Sequence, residues 1–392
     1  MHIASEHDVI VVGAGPAGAT TATALVQQGH DVLLIDRQTF PRDKICGDAI
    51  SQGCIRIMND LGMASKIEAA VARGELYHLD GMRLVGPSGH TLQAHFSHGE
   101  NGEKSYVAPR IYFDAIIQKQ AVDSGATFLQ AEVKEPLIEG GRVVGVTARQ
   151  NGETKAYRAP VVVGADGVTS TIMRALRPEA EQHVDKHRAV ALRAYIKGLE
   201  LYPHEVEFFL YDEILPGYAW IFPTADDEAN IGLGMRLDRF RKHKGNLKKM
   251  LQEFLEMPAI RERAPNGTEL RDVAIWQLSF GSQKKLQHAY DGALLVGDAA
   301  GFINPLTGGG IHNALISGIL AADTIEEALR AGDYSRERLK IYETRCDEEM
   351  WDGMRKSFLY QRVLLNYPGV VDFLIRYLGR HGGVAQTFLS KL

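Results

Sequence analysis

Gly13-Ala14-Gly15-Pro16-Ala17-Gly18 stands between the apolar run Val9-Ile10-Val11-Val12 and a helical stretch from about Ala17 to Gln28, and it restricts the fold more than any other segment. Four β-branched residues in a row read as a buried parallel strand. The glycines permit a tight turn and close backbone approach, and the start of the following helix offers unpaired N–H groups to a pyrophosphate. Asp36 ends a second strand, Val32-Leu33-Leu34-Ile35, at the distance where a carboxylate accepts from ribose hydroxyls. Strand, glycine turn, helix and acid together predict a dinucleotide-binding unit. Its contacts are Gly13, Gly15, Pro16, Ala17 and Gly18 at the turn, and Asp36 with Arg37 at the ribose end.

A second half-site lies far downstream. Leu294-Leu295-Val296-Gly297-Asp298-Ala299-Ala300-Gly301 leads into Asn304-Pro305 and then Gly308-Gly309-Gly310, which open a helix running through Ile311 to Leu320. Asp298 is placed to hold a ribityl chain. The helix start at Gly308, Gly309, Gly310 and Ile311, with Pro305 before it, would face an isoalloxazine, where its partial positive charge stabilises reduced flavin by about 0.3–2 kcal/mol. The two motifs serve opposite ends of FAD, so nearly the whole chain is expected to wrap one flavin dinucleotide.

Between them, Val161-Val162-Val163-Gly164-Ala165-Asp166-Gly167 with Ser170 and Arg174 resembles the Asp-Gly motif of the flavoprotein hydroxylase superfamily, whose members fold like p-hydroxybenzoate hydroxylase. The resemblance runs from about Val9 to about Ala322. It implies that Asp166 belongs to the cofactor site, that Arg110, just before a helix from Tyr112 to Ser124, reaches the cofactor, and that the backbone at Val133 meets the adenine.

The expected fold class is α/β, in part α+β. A Rossmann-like FAD-binding domain at 1–73, 104–187 and 281–333 is interrupted by a β-rich substrate domain at 74–103 and 188–280, and a helical extension follows at 334–392. Met82 to Val85 and Thr91 to Phe96, around Pro87-Ser88-Gly89, read as a hairpin. Strands are expected at Ala189 to Ile196, Glu205 to Tyr211, Ala219 to Pro223, Ala229 to Met235 and Arg271 to Leu278, forming a mixed or antiparallel sheet over the flavin. The apolar residues Phe358, Leu359, Val363, Leu364, Leu365, Val370, Val371, Phe373, Leu374 and Ile375 of the extension either pack on the body or, with Arg362, Arg376 and Arg380, rest on a bilayer.

Charge and cysteine content narrow the function. A net charge of -5 and short basic clusters such as Arg241-Lys242-His243-Lys244 argue against a nucleic-acid partner. Cys46, Cys54 and Cys346 form no CxxC pair, which points to a reducing cytoplasm. The first strand begins within a few residues of Met1, leaving no room for a signal peptide, and no run approaches the ~20 apolar residues that span a bilayer. The fourteen histidines lack zinc-type spacing, so no metal is expected.

Phe40-Pro41-Arg42-Asp43-Lys44-Ile45-Cys46-Gly47-Asp48-Ala49 resembles the Pro-x-x-Lys-x-Cys-Gly pattern of geranylgeranyl reductases, and Tyr218-Ala219-Trp220-Ile221-Phe222-Pro223 resembles their Tyr-x-Trp-x-Phe-Pro segment. Asp48 stands where many members of that family have a further glycine. The resemblance implies an FAD-dependent reductase of prenyl double bonds, with Cys46, Gly47 and Ala49 beside the flavin and Tyr218, Trp220 and Phe222 against an apolar substrate. Strand alternation independently puts the three aromatics on one face. Hydrogenating an alkene requires hydride at one carbon and a proton at the other, and a thiol of ordinary pKa, ~8.5, supplies the proton at neutral pH. Lys44 or Arg42 beside the sulfur would favour thiolate instead, leaving Cys46 to shape the flavin environment. Cys54 and Cys346 are read as structural. Two other functions share the fold: a monooxygenase or halogenase working through a flavin C4a-hydroperoxide, and a noncatalytic prenyl-binding escort related in architecture to Rab GDP-dissociation inhibitors. With only one full glycine motif, the electron donor is NADPH bound without its own domain, or a carrier such as ferredoxin.

Overall fold

Val9–Val12 is fully buried because it is a central strand of a six-stranded sheet. The order is Ala289–Tyr290, Ala293–Leu295, Val161–Gly164, Val9–Val12, Val32–Asp36, Thr127–Gln130. Every pairing is parallel except that of the edge strand Ala289–Tyr290, which explains runs of apolar residues in place of alternation. The computed structural model describes residues 3–96, 99, 101–177, 184–283, 286–363 and 366–380.

The first glycine motif and the last strand of this sheet are brought side by side by two helices, Pro16–Gln27 and Ile311–Ala331. They cross at Gly318, where a Cβ would sit 2.7 Å from Ala17 O, and Thr21 Oγ1 donates to Gly318 O at 3.2 Å. The second helix continues past the expected Leu320 to Ala331 and stops at Gly332, whose φ is 63°.

A seven-stranded sheet roofs the nucleotide layer. Its order is Glu269–Ser279, Arg188–Lys197, Glu228–Arg236, Tyr218–Pro223, Glu205–Phe209, Gly81–Val85, Thr91–His95. The hairpin joins it through a parallel pairing, Glu205 to Phe209 against Gly81 to Val85, so the two inserted segments make one layer. Each strand presents two faces. Ala219 and Ile221 pack with Leu192, Ile231 and Leu233 against Leu247, Leu251 and Phe254 of the helix Leu247–Leu255. Trp220 and Phe222 form a separate cluster on the opposite face, with Tyr218 packed against it.

A small sheet of Ala49–Ile50, Ser105–Val107 and Tyr77–Leu79 anchors the end of the Cys46 loop. The helix following it spans Arg110–Asp123 and starts two residues before the expected Tyr112. Pro109 takes the N-cap position, and its carbonyl accepts from Tyr112 N and Phe113 N. The extension contains helices Asp352–Val363 and Pro368–Arg380. Val371, Ile375 and Leu378 pack on Leu92 and Leu210 of the roof, while Tyr367, Val370, Phe373 and Tyr377 stay exposed. Leu364 and Leu365 lie outside the described residues. No helix among the described residues is long and apolar enough to cross a membrane.

Candidate functional site

Between the two layers lies a cavity of about 1100 Å³. Small-molecule pockets usually enclose ~300–1,000 Å³, so this one has room for an extended ligand. Both long helices begin at it. Neither has a side chain capping its first turn or an acidic residue there, so their N–H groups and positive dipole ends are left for a ligand.

Gly13, Gly15, Pro16 and Ala17 line one end. Gly13 has φ of 101°, and a Cβ on it would sit 2.4 Å from Ala165 O. Gly18 is the exception among the predicted contacts. It does not line the cavity, because its missing side chain lets the helix close on the turn: a Cβ there would sit 1.9 Å from Gly13 O. Asp36, Arg37 and Val133 line the same end. Asp36 Oδ2 accepts from Ala14 N at 2.8 Å, and its Oδ1 from Gln38 N at 2.9 Å. Asp166 lines the cavity while its carboxylate accepts from Ser170 Oγ and from Thr171 N at 2.6 Å, bracing the next short helix.

At the other end are Asp298, Pro305, Gly308, Gly309, Gly310 and Ile311. Asn304 shapes this loop: its Oδ1 accepts from Leu306 N at 2.9 Å and Thr307 N at 3.2 Å. Burial raises the pKa of Asp298, and the charges of Lys44 and Arg110 oppose that rise. Gly308 has φ of 66°, and a Cβ on it would lie 2.9 Å from Tyr218 Oη. The Tyr218 hydroxyl donates to Thr307 O, joining roof to loop. Bare helix starts, glycines that admit no side chain and an acid at each end fit a dinucleotide cofactor.

Cys46, Gly47 and Ala49 line the middle of the cavity. A Cβ on Gly47 would sit 3.1 Å from Phe222 Cε2 and 3.6 Å from Trp220 Nε1, so the cysteine loop lies directly on the aromatic wall. Tyr218, Trp220 and Phe222 share one face as alternation requires, with centroids of 5.9 Å and 6.1 Å between neighbours. Phe208 is a fourth member, absent from the sequence-based set. It pairs across from Trp220 and meets Tyr218 and Phe222 edge-on at 5.3 Å and 5.1 Å. The alternation Val206, Phe208 in a predicted strand carried the signal.

Neither Lys44 nor Arg42 is the cation that bonds the Cys46 sulfur. Lys44 Nζ lies 3.5 Å from the centroid of Trp276, and burial lowers its pKa to about 8. Arg42 Nη1 donates to Asp114 Oδ2 at 2.6 Å. Arg110 is the group hydrogen-bonded to the sulfur, and it also grips buried Asp114 through Nε at 2.5 Å and Nη2 at 2.8 Å. The protein packed around the sulfur pushes the Cys46 thiol above its ordinary value, outweighing Arg110. The group at neutral pH is therefore a thiol. Cys54 and Cys346 are buried.

Fold and cavity define a flavoprotein, and residues 6–357 match the FAD binding domain family, to which the chain belongs. Digeranylgeranylglycerophospholipid reductase 1 of Methanopyrus kandleri is 33% identical over 380 residues, covering 94% of both chains. The corresponding reductase of Methanocella arvoryzae is 32% identical, covering 92% of this chain and 88% of its own. A solved geranylgeranyl bacteriochlorophyll reductase-like protein from Thermoplasma acidophilum superposes with a TM-score of 0.84 at 27% identity, covering 96% of this chain and 92% of that one. This chain is a member of the geranylgeranyl reductase family and an FAD-dependent oxidoreductase.

Proposed function

We propose that the protein saturates carbon–carbon double bonds of a prenyl chain borne on a hydrophobic carrier. Bound FAD supplies the hydride once reduced. The observation that carries this reading is the seat of Cys46: its loop lies directly against Trp220 and Phe222 in the cavity both helix starts face, where burial favours the thiol. Gly13, Gly15, Pro16 and Ala17 hold the pyrophosphate, with Gly18 closing the helix behind them. Asp36, Arg37 and Val133 hold the adenosine end. Asp298 takes the ribityl chain, and Pro305, Gly308, Gly309, Gly310 and Ile311 take the ring. Arg110, Asp166, Gly47 and Ala49 complete the cofactor walls, and Cys46 delivers the proton. Tyr218, Trp220, Phe222 and Phe208 exclude water from the prenyl chain.

The division of labour follows the layers: cofactor at 1–73, 104–187 and 281–333, substrate at 74–103 and 188–280, with 334–392 as an extension. Reduced by dithionite without oxygen and mixed with a geranylgeranyl lipid, the protein is expected to reoxidise its flavin while the lipid gains two hydrogens per step. Flavin that stays reduced until oxygen enters would overturn this reading in favour of oxygenation or halogenation. Repeating the reduction with NADPH and with reduced ferredoxin identifies the donor.

Prenyl lipids reside in membranes, and the outer face of Pro368–Arg380 supports peripheral contact from the cytoplasmic side. Phe373 is 65% exposed and stacks on Tyr377 at 6.2 Å, with Arg376 and Arg380 also exposed. Apolar burial and basic charge add in binding anionic bilayers. Phe373→Asp is expected to reduce flotation with anionic vesicles at least fivefold; equal flotation would remove the membrane contact from the reading.

A further inference from the structure

Asn230 has no exposed surface and joins three separate parts of the site. Its Nδ2 donates to Cys46 O at 2.8 Å and to Asp48 Oδ2 at 2.7 Å, and its Oδ1 accepts from Trp220 Nε1 at 2.8 Å. The same Asp48 oxygen accepts from Tyr195 Oη at 2.7 Å. Asp48 O accepts from Ala108 N at 2.8 Å, so the residue is tied at backbone and side chain alike. It is fully buried at φ of 67°, and its other carboxyl oxygen has no partner. A left-handed aspartate with an unsatisfied buried oxygen costs stability. Retaining one two residues after the cysteine calls for a role at the cysteine.

The Cys46 sulfur sits between opposing charges. Burial raises the thiol most; Arg110, from the helix Arg110–Asp123, hydrogen-bonds the sulfur and favours thiolate, and the Asp48 carboxylate repels a negative sulfur while the Asp48 backbone N–H donates to it. Lys44 from the same loop and Tyr218 from the roof also act on the sulfur. Arg193 and Arg110 act on Asp48, and Arg193 Nη2 is itself bonded to Asp43 Oδ2 at 2.5 Å.

We propose that Asp48 is a positioning residue for Cys46: anchored by Tyr195 and Asn230, its carboxyl fixes the cysteine loop on the aromatic wall, and its charge adds to burial in holding the proton on the sulfur against Arg110. This rests on the reading of Cys46 as proton donor. In each turnover the Cys46 S–H bond breaks as its proton forms a C–H bond at the alkene carbon that does not receive the hydride, and a solvent proton restores the thiol. A thiolate captured by Arg110 would stall that return. Asp48 is itself raised to about 7 by burial, against its hydrogen bonds to Tyr195 and Asn230. Above that pH it is ionised and opposes thiolate; below it the thiol is protonated without help.

With Cys54 and Cys346 buried, iodoacetamide on the flavin-loaded protein reports Cys46. Asparagine tolerates the left-handed backbone and keeps an acceptor for Tyr195 and Asn230. Asp48→Asn is expected to lower the midpoint pH of Cys46 alkylation by about one unit, about tenfold faster at neutral pH, with flavin content unchanged, kcat reduced and KM retained. Tyr195→Phe removes one anchor of the carboxylate and leaves its charge, so it lowers kcat through a loosened loop without lowering that midpoint, and it carries the test should Asp48→Asn not fold. An alkylation profile identical to the parent protein in folded Asp48→Asn, or parent-like kcat in Tyr195→Phe, would overturn the proposal. Full turnover in Cys46→Ser, with the Asp48→Asn shift present, would overturn the proton-donor reading and leave the placement of the loop by Asp48 standing.

Discussion

Cys46→Ser is expected to bind flavin normally and to turn over about 10²–10⁴-fold more slowly, the range that a positioned proton donor contributes. The alcohol occupies the same seat beside Gly47 and the aromatic wall, but it is a far weaker acid than a thiol. The hydride side of the reaction stays intact. The measurement is the rate at which dithionite-reduced protein reoxidises with a geranylgeranyl lipid under anaerobic conditions, set against flavin content from its visible absorbance. Parent-like reoxidation would remove Cys46 from the proton path and leave it as a wall of the ring site.

Gly13→Ala is expected to abolish flavin retention. The added methyl would stand 2.4 Å from Ala165 O and 2.9 Å from Asp166 Cα. Both are backbone atoms of the neighbouring strand end, with no rotamer to escape into. The positive φ adds about 1–3 kcal/mol of strain. Purified protein should be colourless, or should carry less than about a tenth of the parent flavin, and should melt several degrees lower. Gly29→Ala is the control: φ there is 95° with open space around it, so it costs the backbone strain alone and keeps the colour. A yellow, stable Gly13→Ala protein would mean that the turn tolerates a shift the close contacts forbid.

The parts of the site legible in the sequence are those built from consecutive residues. A strand, a glycine turn and a helix start encode their geometry within about fifteen residues, which is why the turn at Gly13 to Ala17 and the helix start at Gly308 to Ile311 are legible in the sequence. Strand alternation likewise gave the common face of Tyr218, Trp220 and Phe222. What was not legible depends on register between distant strands. Phe208 joins the wall because it pairs with Trp220, and Asp48 meets Tyr195 and Asn230 across 147 and 182 residues. The cation at Cys46 was not legible for the same reason: Lys44 and Arg42 are near in sequence but turn to Trp276 and Asp114, while Arg110 arrives from another element. Gly18 follows the motif but serves packing, a distinction only the distance to Gly13 O makes. Histidine spacing could not reveal that His78, Asp80 and His204 converge, with His204 Nδ1 donating to His78 O at 3.0 Å.

The parallel sheet is completed by Ala293–Leu295 lying against Val161–Gly164, and the second uncapped helix follows only at Ile311. During synthesis the early βαβ unit emerges first, with one helix start ready and its neighbouring strand still unmade. Some three hundred residues must leave the ribosome before the second helix can dock at Gly318. Flavin capture is therefore a late event in the life of the nascent chain, and a product truncated before Ala293–Leu295 would expose the edge of Val161–Gly164 as a site for aggregation.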